Sequence, residues 1–251
     1  MTFLLELVFF GIIGLFVALR GVSTLPRLLT LAAAAWVAED TVIHVYGFYA
    51  YSPQWSVMVD QVPLTVLLIW PVVILSAQDL AGRKAPWVVL TDAALIEPIA
   101  VLCGYWWWTE PGLFKVPLIG MAGWAVFAAW ALWIERSPWA RRLNRLAPLA
   151  VIVGAPILTH LSLLAMWWGA LRWINVVVPP VAGVCVAVLV SAGMCWCVLK
   201  QPPSRRRDVM LRVPAATFFF GALAMADPGW ELIVYASAFA PPYLVLTATS
   251  R

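Results

Sequence analysis

The chain has 251 residues, of which 64% are apolar and 11% are charged, and its mean hydropathy is +0.92. Soluble domains contain roughly 45–50% apolar and about 25% charged residues, so this composition argues against a water-soluble enzyme, a disordered chain and a nucleic-acid-binding protein. The formal net charge is +4. In a chain this apolar, the position of each charged residue is more informative about the protein than the net charge.

Hydropathy divides the chain into segments long enough to cross a bilayer, which takes about 20 mostly apolar residues. We expect seven to nine spans in one all-α, polytopic transmembrane bundle that occupies residues 1–251 as a single domain. The first segment lacks a small-residue cleavage site and is interpreted as a retained helix. In chain order the predicted spans are 2–19, 28–48, 57–77, 87–108, 117–134, 147–168 and 174–199, then the weaker 213–226 and 232–249.

The basic residues predict how this bundle is oriented. The loops after spans one, three, five and seven carry 13 of the 16 Lys and Arg residues, whereas the loops between them carry only Lys115 and Arg172. Because basic residues accumulate on the cytoplasmic side, the N-terminus is predicted to lie outside, in a bacterial or archaeal cytoplasmic membrane. We interpret the basic clusters as contacts with anionic membrane lipids rather than with nucleic acid. The oligomeric state is not predicted.

Metal and redox centres are not expected. The four cysteines lie inside apolar spans, and their spacing fits neither a redox pair nor a metal site. Only two histidines are present. The expectation is therefore a protein with no metal and no cofactor. The cysteines are Cys103, Cys185, Cys195 and Cys197.

Ionisable side chains within the predicted spans are the main functional signal, because such groups are costly in a bilayer unless they are paired or solvated. Glu39 of span two and Glu97 of span four both lie close to the midplane. His160 of span six lies slightly further out, so a cavity shared by two carboxyls and an imidazole is predicted. Asp92 precedes Glu97 by roughly 7.5 Å along the helix and joins the catalytic candidates.

Further candidates surround Glu39 in the sequence. Asp40 and His44 are i,i+4 neighbours that can interact along one helix face, and both are predicted to be catalytic. Asp40 is rotated by about 100° from Glu39, so the two carboxyls need not face the same cavity. The tyrosines that follow toward the outer end of the span are predicted to bind substrate; they are Tyr46, Tyr49 and Tyr51.

This set of groups suggests acid–base chemistry. A carboxyl group in an apolar pocket can stay protonated at neutral pH and then serve as a general acid, while a second carboxylate takes a proton back. The alternative is that these residues only pair between helices. Tryptophans are typical of membrane interfaces, but aromatic faces also stabilise cations. The predicted substrate-binding set accordingly includes Trp70, Trp106, Trp108, Trp124 and His160.

Two stretches carry an ordered series of short motifs. The first holds the acid Glu39, then the aromatic run 46–51, Val62-Pro63-Leu64 and Trp70; the second holds Asp92, Glu97-Pro98, Trp106, Trp108, Val116-Pro117-Leu118 and Gly123-Trp124. The order of these motifs resembles the integral-membrane carotenoid biosynthesis family that includes the bacterioruberin-pathway and gamma-carotenoid 1′,2′-hydratases. The resemblance covers residues 39–124, about a third of the chain.

The resemblance implies a membrane enzyme that adds water across a terminal isoprenoid double bond without a redox cofactor. Glu39 matches the first-motif acid of the family, and Asp92 and Glu97 match its second-motif acids. Gly120 stands where the family commonly has Asn, and Lys115 replaces a small residue. A glycine that the family has soon after the first acid is absent, and Asp40 and His44 occupy that region. These departures leave open a different isoprenoid or a cyclisation.

The resulting hypothesis is a cofactor-independent acid–base enzyme whose partner is a lipophilic isoprenoid or carotenoid substrate. Protonation of a C=C bond by Glu39 or Glu97 gives a carbocation, which is captured either by water or by an internal double bond, as in a terpene or meroterpenoid cyclase. A proton-coupled small-molecule transporter is the alternative from another class, although the inverted repeats of many carriers are not evident. A non-catalytic scaffold in a pigment pathway is the third possibility.

Overall fold

The computed structural model describes residues 2–176, 178–200 and 209–249. It is 80% helical, and within these ranges seven helical stretches are long and apolar enough to cross a membrane. The predicted all-α, polytopic bundle is therefore confirmed, and the chain is an integral membrane protein. Part of the basic cluster predicted after span seven, residues 205–207, lies outside the described ranges.

The helices are numbered here in chain order. A 3₁₀ turn precedes α2, and π-helical turns extend α2 to Tyr46 and α7 to Leu171. The helices are α1 (Thr2–Arg20), α2 (Leu25–Thr41), α3 (Leu64–Ala81), α4 (Ala85–Leu102), α5 (Leu118–Arg136), α6 (Pro138–Arg142), α7 (Ala147–Met166), α8 (Arg172–Asn175), α9 (Pro180–Leu199), α10 (Val213–Met225), α11 (Trp230–Ser237) and α12 (Ala240–Thr249).

Five helices close a ring in the order α2, α3, α4, α5 and α7, in which each helix packs against its two neighbours. Small residues permit close approach of helices in membranes, and the alanines of α2 follow this rule, since Ala34, Ala35 and Ala38 are buried in the core. Outside the ring, α1 packs on α3, α10 packs on α1 and α4, and α9 packs on α11 and α12. The ring encloses the candidate site.

Two short strand pairs cover one end of the ring. Gly47 adopts a left-handed conformation (φ 60°), which is accessible to glycine without strain, and this turn ends the α2 extension and starts β1 (Tyr49–Tyr51). β1 pairs antiparallel with β4 (Trp106–Trp108). The hairpin β2 (Met58–Val59) and β3 (Val62–Pro63) precedes α3.

Polar contacts hold the opposite end of the ring together. Arg27 at the start of α2 donates two hydrogen bonds to Glu135 near the end of α5, of 2.9 and 2.5 Å, and a third of 2.7 Å to Gln78 near the end of α3. Arg136 donates to the carbonyl oxygen of Gly82 at 3.3 Å. These contacts place the loops after predicted spans one, three and five at one end, as their shared basic character predicted.

Several predicted boundaries are wrong. The spans 57–77 and 87–108 overran their helices, because residues 58–63 form a hairpin and residues 106–108 form a strand. Predicted span 232–249 is divided into α11 and α12. The strands continue apolar segments, so the hydropathy of the segments did not distinguish them from helix, and neither Trp106–Trp108 nor the two-residue strands β2 and β3 show the alternation with a period of two that indicates a strand.

Candidate functional site

Glu39 is a buried carboxyl on α2 that accepts three hydrogen bonds. Tyr49 donates its hydroxyl to Oε2 at 2.8 Å, Tyr51 donates to the same oxygen, and the indole Nε1 of Trp70 on α3 donates to Oε1 at 2.7 Å. Glu39 is 8% exposed and Trp70 is 4% exposed. A buried carboxyl is tolerated only when its oxygens are paired, and here both oxygens are.

Glu97 on α4 is a second buried carboxyl and accepts only indole N–H groups. Trp106 and Trp108 donate to Oε2 at 2.8 and 3.1 Å, and Trp124 of α5 donates to Oε1 at 2.8 Å. An indole nitrogen donates and cannot accept. Three donor-only partners therefore match an ionised carboxylate, which only accepts.

The strand pair explains how four of these donors reach the two acids. Tyr49 lies opposite Trp108, and Tyr51 lies opposite Trp106. Because side chains alternate between the two faces of a strand, these four project from one face, while the intervening Trp107 is on the other and is 48% exposed. One face of the pair thus supplies two hydroxyls to Glu39 and two indoles to Glu97.

Both acids line a single cavity of about 90 Å³ inside the helix ring. Trp70 and Trp124, which donate to different acids, stack on each other in its wall. His160 of α7 also lines it and donates through Nε2 to the main-chain oxygen of Ala38 at 3.0 Å. The cavity predicted for Glu39, Glu97 and His160 is thus present in the structure.

The tyrosine hydroxyls on the strand pair remain protonated at neutral pH. Burial raises the pKa of Tyr49 and of Tyr51 well above the ordinary value of 10, and the negative charge of neighbouring Glu39 raises the pKa of each further. Both residues therefore act as hydrogen-bond donors toward Glu39. A hydroxyl oxygen can also accept, so a tyrosine partner suits a carboxyl that gains and loses a proton.

The remaining predicted substrate-binding residue, Tyr46, lies in the π-helical turn and also lines the cavity, where its ring meets the edge of His160. All eight predicted substrate-binding residues therefore line one cavity. The sequence did not predict that six of them donate hydrogen bonds to the two acids. These six are Tyr49, Tyr51, Trp70, Trp106, Trp108 and Trp124.

Two predicted catalytic residues, Asp40 and His44, lie outside this cavity. His44 Nε2 is 2.9 Å from Asp60 Oδ2 and 3.7 Å from Asp40 Oδ1, and His44 and Asp60 are each 49% exposed. Asp40 lies outside the cavity because it is rotated by about 100° around the helix axis from Glu39. These three side chains bring possible metal-ligand atoms within 4.8 Å of one another, a grouping that sequence spacing did not reveal because Asp60 lies in a distant turn.

Asp92, the fifth predicted catalytic residue, lines a different cavity of about 380 Å³. Five residues turn a helix by about 140° beyond a full turn, so Asp92 and Glu97 occupy different faces of α4. Arg212 donates to Asp92 Oδ2 at 3.2 Å, and Tyr243 donates to Oδ1. Asp92 was predicted to be catalytic together with the two glutamates, but the structure places it in a different cavity from theirs.

Gly120 is a site residue whose role the sequence did not show. A Cβ atom on Gly120 would lie 2.6 Å from Cζ2 of the Trp108 ring. The absence of a side chain therefore makes room for the indole that donates to Glu97.

Comparison of the chain with known protein families, curated proteins and solved structures gave no match in any of the three searches. The resemblance to carotenoid hydratases remains a prediction from the sequence motifs.

Proposed function

We propose that this chain is a cofactor-independent acid–base enzyme that protonates a C=C bond of a lipophilic isoprenoid or carotenoid within the membrane and hydrates it, with Glu39 as the acid. The observation that carries this proposal is the pair of buried carboxyls, Glu39 and Glu97, which face one aromatic cavity and each accept three neutral donors.

The two acids have different partners, and this difference assigns their roles. Glu97 is held by three indoles that can only donate, which suits a carboxylate throughout the reaction. Glu39 is held by one indole and two hydroxyls, and hydroxyl hydrogens can rotate as the carboxyl changes its protonation state. Glu39 is therefore the acid that donates the proton, and Glu97 supplies a fixed negative charge.

The reaction balances without a cofactor. The Glu39 O–H bond breaks as its proton bonds to the less substituted carbon of a trisubstituted C=C, and the π electrons leave a tertiary cation on the other carbon. Water bonds to that carbon through its oxygen, and one of its protons returns to the Glu39 carboxylate. The product is a tertiary alcohol, and the acid is regenerated.

The cavity wall is suited to a cationic intermediate. Indole faces attract cations, and fixed charges in a site that excludes water stabilise developing charge more than they would in water. Trp70 and Trp124 present stacked rings beside both acids. The 90 Å³ of the cavity is below the roughly 300 Å³ of the smallest typical ligand pockets, so it suits the reacting end of a chain rather than a whole carotenoid.

Cyclisation is the alternative outcome of the same protonation, because an internal double bond can capture the cation and a neighbouring C–H proton then returns to Glu39. Products formed from an acyclic carotenoid distinguish the two reactions. Hydration increases the product mass by one water, whereas cyclisation leaves it unchanged. In heavy water both reactions place one non-exchangeable deuterium on the carbon that Glu39 protonates.

The decisive variants are Glu39→Gln and Glu97→Gln in purified protein reconstituted with an acyclic carotenoid. Loss of the proton donor is expected to reduce turnover by about 10²–10⁴-fold. Asp40→Asn is the matched control, because it removes a neighbouring carboxylate that does not line the cavity. Near-normal turnover of Glu39→Gln, or an equal loss in Asp40→Asn, would refute the assignment of Glu39 as the acid.

A further inference from the structure

A second cavity of about 380 Å³ lies on the other face of α4 and has one polar end in otherwise apolar walls. The apolar walls come from α1, α3, α4, α10 and α12, with Phe219 and Val66 among the side chains. Trp106 and Trp124 line this cavity as well as the carboxyl cavity. Its volume falls within the roughly 300–1,000 Å³ that is typical of small-molecule sites.

The polar end is a buried ion pair with hydrogen-bonding capacity to spare. Arg212 donates to Ser76 Oγ at 3.1 Å and to Asp92 Oδ2 at 3.2 Å, and the side chains of Arg212 and Asp92 are 13% and 14% exposed. A guanidinium group has five N–H donors; the bonds to Ser76 and Asp92 use two of them, and Tyr243 is a further partner of this guanidinium. Its Nε has no acceptor among the described residues.

The same end also offers an acceptor. Tyr243 donates its hydroxyl hydrogen to Asp92 Oδ1 and its oxygen accepts from Arg212, which leaves one of the two lone pairs of this oxygen to accept a further hydrogen bond. The charges of Arg212 and Asp92 cancel, so the cluster presents a donor and an acceptor without net charge. A hydroxyl group, which both donates and accepts, fits this pair better than a phosphate, which needs excess positive charge.

We propose that this second cavity binds an apolar chain ending in a hydroxyl group, the class to which isoprenoid alcohols belong. The ligand oxygen accepts from Arg212, and its hydroxyl hydrogen is donated to Tyr243. The alcohol formed by the reaction proposed above is of this class. Binding here does not depend on that reaction, however, and it is measured without turnover.

The test uses the full chain in phosphatidylcholine nanodiscs and binding of radiolabelled geranylgeraniol. Unlabelled geranylgeraniol is expected to compete at least 10-fold better than the hydrocarbon in which hydrogen replaces its hydroxyl group. Tyr243→Phe should weaken binding by about 2–10-fold, the value of one hydrogen bond. Tyr235→Phe is the matched control, because Tyr235 lies on the neighbouring α11 and does not line this cavity.

A variant that spares the polar cluster keeps the test independent of folding defects. Ala216→Phe on α10 fills the cavity and should abolish binding while the helical content stays unchanged. Equal competition by alcohol and hydrocarbon would show non-selective filling and overturn the proposal. Competition by phosphatidylglycerol as strong as that by geranylgeraniol would identify a lipid-headgroup site instead, and binding that survives Ala216→Phe would place the alcohol elsewhere.

Discussion

Trp124 allows a direct measurement of how strongly the indoles stabilise the buried Glu97. Trp124→Phe keeps an aromatic ring but removes the N–H that donates to Glu97 Oε1 at 2.8 Å. A hydrogen bond to a charged group contributes about 1.5–3 kcal/mol. We expect this variant to lower the free energy of unfolding by that amount, in addition to the small loss of packing when indole becomes phenyl.

Trp130→Phe on the same helix is the matched control. Its indole donates at 2.9 Å to the neutral hydroxyl of Ser162, and such a bond contributes about 0.5–1.5 kcal/mol. The change in ring volume is the same in both variants, so the difference between them isolates the carboxylate. Trp124→Phe should therefore be more destabilising by about 1 kcal/mol or more.

Unfolding of each variant by SDS in mixed micelles, followed by circular dichroism, gives the required free energies. A double-mutant cycle with Glu97→Gln then measures the coupling between Trp124 and Glu97 without the packing contribution. Equal destabilisation by the two phenylalanine variants, or a coupling energy below about 0.5 kcal/mol, would refute the conclusion that Glu97 is held as a carboxylate by indole donors.

Three further substitutions test other parts of the fold by the same unfolding assay. Gly120→Ala should cost about 1–3 kcal/mol, because the new Cβ would lie 2.6 Å from the Trp108 ring. Gly123→Ala is the control and should be neutral or stabilising, because its nearest contact is at 3.6 Å. Similar values for both variants would contradict the steric role of Gly120. Lys115→Gly should stabilise the folded protein by about 1 kcal/mol, because Lys115 has a φ of 66° and glycine adopts this conformation without strain. An equal gain in Lys115→Ala would disprove this reason, because alanine is strained at the same φ. Glu6→Gln should cost about 1–3 kcal/mol, because the carboxylate accepts the N–H of Ser56 at 2.9 Å and its hydroxyl at 2.5 Å. An unchanged unfolding midpoint would show that these bonds add nothing to stability.

The sequence predicted the helical bundle and the cavity acids because both depend on local composition. Runs of apolar residues identify spans, and a carboxyl within a span is conspicuous. Glu39, Glu97 and His160 were grouped by depth, and the structure brings them to one cavity. Depth along a helix does not give the direction of a side chain, and for this reason the sequence did not show that Asp92 faces a different cavity from Glu97.

The strand pair could not be predicted from hydropathy, since Trp106–Trp108 is as apolar as the helix before it. Its partner, Tyr49–Tyr51, lies more than 50 residues earlier in the chain, and only tertiary structure pairs the two. A local alternation of large and small side chains is present in Tyr49-Ala50-Tyr51 but not in the three consecutive tryptophans of β4. Arg212 and Tyr243 were likewise unpredictable as partners of Asp92, because each comes from a distant helix or loop.

The antiparallel pairing of β1 and β4 has a consequence for insertions and deletions. One face of this pair carries all four side chains that reach the acids, and a strand shifted by one residue turns each of its side chains to the opposite face. A single inserted residue in β4 would direct Trp107 inward and withdraw both indoles from Glu97 at once. A change in the length of this segment should therefore be more disruptive than the replacement of either indole alone.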